Sequence, residues 1–218
     1  DTLAQRATQG HLSRDILLFV LYTSRMGKLN YTHEDDNIQS VNNQWIITSN
    51  YPDYKKFEKL FEQDGNDISE NTTTANGEQI DLESEKTPSK WDDLKKDYLD
   101  WVLSKVQSFT LPINKLKVIR AWTITYNKNG YQGIHVHTGD MNYKTFSVVL
   151  HMDDVITTKE NKYDGVLFTL MPEPNGYQHP GHYLSQAGGV VMLDGRVWHG
   201  VYPTSTQRRS FIVDFEYE

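Results

Sequence analysis

The chain has 218 residues and a net charge of -7, with 37% hydrophobic and 23% charged residues, 13 Tyr, 5 Trp and no Cys. That length sets one domain over residues 1–218 as the expectation, and the negative charge argues against nucleic-acid backbones and anionic membrane surfaces as partners. The absence of cysteine excludes disulfides, thiolate metal sites and cysteine nucleophiles, so a metal would have to be held by His, Asp or Glu.

In chain order, residues 11–26 carry Leu12, Ile16, Phe19 and Val20 at helical spacing before Gly27, which predicts a core helix. Its apolar run Ile16–Tyr22 is far below the ~18 residues of a membrane span, and no signal-peptide pattern precedes it. A soluble, cytoplasmic protein is the expectation. Trp45–Thr48 reads as a short extended run, and Tyr54–Gln63 as a helix with Phe57, Leu60 and Phe61 on one face. Residues Asp64–Lys86 are almost free of apolar side chains and read as a mobile surface insertion. Ser89, with Asp92 three residues on, predicts the capped start of a helix whose Trp91, Leu94, Tyr98, Trp101, Val102 and Val106 share a face.

After Pro112 the pattern changes to β-branched and aromatic runs between Gly, Asn, Asp and Pro. These predict strands at Val118–Tyr126, Tyr131–His137, Thr145–Met152, Gly165–Leu170, Gly189–Leu193, Val197–Tyr202 and Arg208–Tyr217. Helices first and short strands afterwards describe a mostly β sandwich or barrel over 113–218, with the helices of 1–112 packed on one face.

In Gly133-Ile134-His135-Val136-His137, strand alternation aims both imidazoles at one side, and His199 follows a distant apolar stretch. Two neighbouring ligands and a remote third suit a facial metal site with open positions. Arg208 and Ser210 share a strand face nine and eleven residues beyond His199. A buried guanidinium beside a hydroxyl is suited to gripping a carboxylate with two parallel bonds. Other polar residues read more plainly: His151 as a packed core histidine, Arg209 as solvent-facing, Asp153-Asp154 as a strand end, and His179-Pro180-Gly181-His182 as a surface loop.

The order Tyr126, Gly130-Tyr131-Gln132, His135-x-His137, Gly165-Val166-Leu167-Phe168, His199-Gly200-Val201-x-Pro203, Arg208-x-Ser210 resembles the 2-oxoglutarate and iron(II)-dependent oxygenases, particularly prolyl-hydroxylase-like members including those of phages. The resemblance covers roughly residues 118–216. It implies a double-stranded β-helix, or jelly roll, with Fe(II) and 2-oxoglutarate as cofactors, O2 as co-reactant and a peptide or small molecule as substrate. It also implies His135 and His199 as metal ligands, Arg208 and Ser210 as the clamp on the cosubstrate's C5 carboxylate, and Tyr126 as a further donor to it.

That family usually carries Asp or Glu two residues after its first histidine; this chain carries His137. Three arrangements stay open: a three-histidine triad, a bulge at Thr138-Gly139 that brings Asp140 to the metal, or a coordination position without a protein ligand. The functional expectation is a 2-oxoglutarate-dependent hydroxylase. Its competitors are a cosubstrate-free, cupin-like three-histidine dioxygenase and a non-catalytic ligand-binding β-sandwich.

Overall fold

The computed structural model describes residues 36–41, 44–62, 73–83, 90–137, 144–172 and 178–218, all within the unit Thr32–Glu218. The helix expected over 11–26 and the candidate ligand Asp140 lie outside these residues. The described residues form ten strands: β1 (Asn37–Val41), β2 (Gln44–Asn50), β3 (Thr74–Asp81), β4 (Leu116–His135), β5 (Thr145–His151), β6 (Leu167–Pro172), β7 (Gln178–Tyr183), β8 (Gly189–Asp194), β9 (Trp198–Val201) and β10 (Arg208–Tyr217). A 3-10 helix (Tyr54–Glu62) and one α-helix, α1 (Asp92–Ser108), precede β4. No helix among the described residues is long and apolar enough to cross a membrane.

The strands join antiparallel in the order β1-β2-β8-β5-β10-β4-β9-β6-β7, with β3 also on β4. Strand β4 ties the two parts of this order together. Its first half pairs with β10 from Leu116 to Tyr126, and its last residues pair with β9, where His135 faces His199. Two strands were expected here, split at Asn127–Gly130, but the chain runs on as one. Asn129 takes a left-handed conformation (φ 66°), and a side chain on Gly130 would come within 2.6 Å of the Asn76 carbonyl. The segment that looked like a turn is therefore a kink inside a strand, matched by a register shift in β3 between Ala75 and Gly77.

Strand β3 corrects the expectation of a mobile insertion over 64–86 where that segment is described, at residues 73–83. Its residues pair with β4 from Trp122 to Gln132, Leu82 is buried, and Glu83 accepts hydrogen bonds from Trp91 Nε1 and Lys95 Nζ. Sparse apolar content here reflects an edge position, where one β-face is enough to hold the strand. Strand β7 likewise replaces the loop expected at His179–His182. Proline is tolerated at a sheet edge, and a side chain at Gly181 would meet Thr169 Oγ1 at 2.6 Å. Trp91 is the N-cap residue of α1 and forms no side-chain cap; the proposed cap Ser89 lies outside the described residues.

The main core lies between α1, the 3-10 helix and one face of β2, β8, β5 and β10. Phe57, Trp91, Tyr98, Val102 and Val106 meet Ile47, Val148, Met192, Phe211 and Val213 there. Phe211 is the hub, with ring centroids 4.9 Å from Phe57, 5.0 Å from Trp91 and 5.6 Å from Tyr98. Such tilted ring pairs add to the area they bury. Strand alternation then leaves Arg208, Ser210, Ile212 and Asp214 on the opposite face of β10.

Candidate metal centre

The opposite face lines a small, partly open cleft. Trp122, Ile124 and Tyr126 enter it from β4, Val149 from β5, Arg208, Ser210 and Ile212 from β10, and His135, His137 and His199 stand together in it. One potential ligand atom from each histidine lies within 4.8 Å of the others. His135 ends β4 and His199 lies directly across the ladder from it. His137 is beyond the last paired residue of β4, and its backbone is held by donating to the Gly195 carbonyl at 3.1 Å.

Hydrogen bonds set the tautomers. His135 Nδ1 donates to the Gly133 carbonyl at 2.8 Å, and His199 Nδ1 to the Val197 carbonyl at 2.9 Å. His137 Nδ1 donates to the Asp214 carboxylate, 2.8 and 2.9 Å from its two oxygens. Because carbonyl and carboxylate oxygens only accept, each Nδ1 carries a hydrogen, and in the neutral ring each Nε2 presents a lone pair. The Nε2 atoms of His135 and His137 are 3.0 Å apart. Two lone pairs facing at that distance repel unless a proton or a metal ion lies between them. Adjacent nitrogens on an octahedral ion, with bonds of about 2.1 Å, are separated by about 3.0 Å. The three side chains thus fit a divalent metal by geometry and by donor chemistry.

Burial pushes the His135 pKa down to about 4, helped by the neighbouring His137, and pushes His199 well below the ordinary histidine range, helped by His137 and His135. Both rings are kept neutral, the form that ligates metal.

Farther along the cleft, Arg208 is 0% exposed. Its Nη2 donates to His151 Nδ1 at 3.1 Å, and its guanidinium lies over the Tyr126 ring, 5.3 Å from the centroid. Its Nε and Nη1 have no hydrogen-bond partner, and neither has the buried Ser210 Oγ. Buried polar atoms of this kind ordinarily find partners. A guanidinium and a hydroxyl with unmet donors are groups of the kind that pair with a carboxylate. Tyr126 OH donates to Gln132 Oε1 at 2.9 Å, and burial pushes its pKa up to about 12 against the opposing influence of Arg208.

The structure brings together His135, His137, His199, Arg208, Ser210 and Tyr126. His151 is buried as expected but also touches the guanidinium, a role its reading as packing did not include. Arg209 is not free in solvent: it pairs with Asp153 at 2.7 Å and covers the Phe61 ring. Two residues were missed by sequence reasoning. Asp214 backs His137, and Trp122 stacks against that imidazole with centroids 5.7 Å apart and planes 11° from parallel. Extending the Arg208–Ser210 alternation by four residues would have found Asp214 on the same face.

No family model and no curated protein matches the chain. Solved structures do match in fold. A Pseudomonas putida prolyl-4-hydroxylase aligns with a TM-score of 0.52 at 17% identity, covering 75% of this chain and 83% of that one. HygX from Streptomyces hygroscopicus, solved with nickel and 2-oxoglutarate bound, gives 0.55 at 10% identity over 78% and 82%. A Trichoplax adhaerens prolyl hydroxylase in complex with a hypoxia inducible factor peptide gives 0.53 at 11% identity over 95% and 94%. These neighbours are prolyl-hydroxylase-like and 2-oxoglutarate, iron(II) oxygenase proteins, the family that the sequence motifs resemble.

Proposed function

We propose that this chain is an Fe(II)- and 2-oxoglutarate-dependent oxygenase that hydroxylates a peptide or a small molecule. The observation that carries the reading is the pairing, in one cleft, of three converging Nε2 lone pairs with a buried guanidinium whose Nε and Nη1 lack partners. The strand order supports a double-stranded β-helix, since it divides into two four-strand runs, β8-β5-β10-β4 and β4-β9-β6-β7, that share the long β4. On this reading residues 1–218 act as one oxygenase domain with its β-helix over 113–218.

His135, His137 and His199 would hold the iron. When bound, iron(II) with 2-oxoglutarate and O2 supplies oxidative decarboxylation to succinate and CO2, with the second oxygen atom inserted into a substrate C–H bond. The chain's own residues set up that chemistry. Arg208 Nε and Nη1 with Ser210 Oγ grip the distal carboxylate of the cosubstrate, His151 fixes the guanidinium through Nη2, and Tyr126 supports it from its ring face. Ile124, Val149, Leu167, Val201 and Ile212 line the passage between clamp and histidines and keep it apolar, which strengthens each polar contact inside. A cosubstrate-free dioxygenase has no use for an anion clamp, so Arg208 weighs against that alternative.

The test is calorimetric titration of the Mn(II)-loaded protein with 2-oxoglutarate. Saturable 1:1 binding that disappears in His199→Ala is expected. Heats no different from the metal-free protein would overturn the proposal.

A further inference from the structure

His137 stands where the resembled family places an acidic ligand. Three neutral imidazoles leave the full charge of a divalent ion in place, whereas two imidazoles and a carboxylate cancel one unit of it. In this chain the carboxylate lies behind the third imidazole. Both Asp214 oxygens are within 2.9 Å of His137 Nδ1, and Oδ1 also accepts from the hydroxyl of Ser147, directly across the ladder on β5. A bulge in the pairing of β10 with β4 falls between Asp214 and Phe215, where it can re-aim the carboxylate.

The cation nearest Asp214 in the ladder, Arg120 directly opposite it on β4, pairs with Asp81 at 3.2 Å. The side chain of Asp214 is only 16% exposed, and its ion-pair contact with His137 is 2.8 Å. A carboxylate so placed carries a desolvation cost that one hydroxyl and one ring N–H offset only in part. A cation on the far side of the same imidazole would offset it well. Trp122, stacked on the ring, leaves the imidazole little freedom to turn away.

We propose that Asp214 is a positioning residue of the metal centre. Through the Nδ1 hydrogen bond it holds His137 with Nε2 toward the ion, and it lends the site the negative charge that an acidic ligand would supply directly. The inference rests on the metal-centre reading above and adds that carboxylate and ligand are separated here into Asp214 and His137.

The experiment is equilibrium Co(II) titration at neutral pH, followed by the visible cobalt spectrum, on wild type, Asp214→Asn, His137→Asp and the double variant. Asparagine keeps the shape and removes the charge, and apo melting curves establish that each protein is folded. Asp214→Asn should weaken Co(II) about 10- to 100-fold and shift the cobalt bands. In the His137→Asp background the same change should cost less than about threefold, because the ligand itself now carries the charge. An unchanged Co(II) affinity in Asp214→Asn would overturn the inference, as would an equal loss in both backgrounds, which is the signature of a merely structural role. Ser147→Ala is the milder variant should Asp214→Asn fail to fold: it should move the cobalt bands in the same direction, and unmoved bands would count against the proposal. If wild type itself binds no Co(II), the metal centre fails and the inference with it.

Discussion

The two faces of β10 solve burial in opposite ways. On one, Phe211 packs against Trp91, Tyr98 and Phe57 of the 3-10 helix, within an apolar core cluster that includes Val213 and Phe215. On the other, Arg208 and Ser210 are buried with polar atoms that lack partners, and half-buried Asp214 backs His137. The first arrangement stabilises the chain without a ligand. The second holds polar atoms out of water in an arrangement that a metal and a carboxylate would complete. One strand, by alternation alone, separates the stabilising face from the functional one.

The strongest challenge to that separation is Phe211→Ala. Removing the hub of the ring cluster should cost about 3–5 kcal/mol of stability in denaturant melts, with metal affinity of the folded fraction unchanged. Loss of metal binding in protein that remains folded would mean the two faces are not independent. Arg208→Met tests the other side. Exchanging a buried, under-partnered guanidinium for an apolar chain should leave apo stability unchanged or raised, while 2-oxoglutarate affinity falls by about 2–5 kcal/mol. A large destabilisation with intact cosubstrate binding would show that Arg208 is structural.

How far the sequence disclosed this separation depends on what alternation could reach. His135, His137, Arg208 and Ser210 were legible because side-chain period 2 places each pair on one face without knowledge of the sheet. Asp214 sat on the same series but looked like one acid among 29 Asp and Glu in the chain, and its meaning depends on His137 arriving from another strand. His151 needed the β5–β10 register, in which it lies opposite Ser210. Strands β3 and β7 were hidden because edge strands tolerate polar residues, Pro and Gly that would break an interior strand. The continuity of β4 through Asn129 was hidden for a related reason: Asn-Gly is a turn signal in a hairpin and a kink in a long, curled strand.

Acid should act on the site and spare the ring cluster. His135 stays neutral in the fold down to about pH 4, whereas the unfolded chain takes up that proton near the ordinary histidine value of 6.5. Between these values the unfolded state binds more protons, so stability falls as pH falls through this window. The melting temperature of the apo protein should therefore decline from pH 6.5 toward 4, with a shallower slope in His135→Gln. Equal slopes would remove His135 from the account. The smallest effect belongs to the one buried hydroxyl in the ring cluster without a partner, Tyr98 OH. Tyr98→Phe should stabilise the protein by up to about 1 kcal/mol with no change in ligand binding, in contrast to Arg208→Met, where cosubstrate affinity is lost.

The central claim is that one cleft joins a three-histidine metal centre to a carboxylate clamp, and the anaerobic visible spectrum with Fe(II) and 2-oxoglutarate tests it most directly. Chelation of iron by the cosubstrate produces a weak charge-transfer band, so wild type should develop one that saturates with 2-oxoglutarate. His199→Ala should show none, and Arg208→Met should need a far higher 2-oxoglutarate concentration. A wild-type spectrum unchanged by saturating 2-oxoglutarate, or a band that forms equally well in Arg208→Met, would contradict the account.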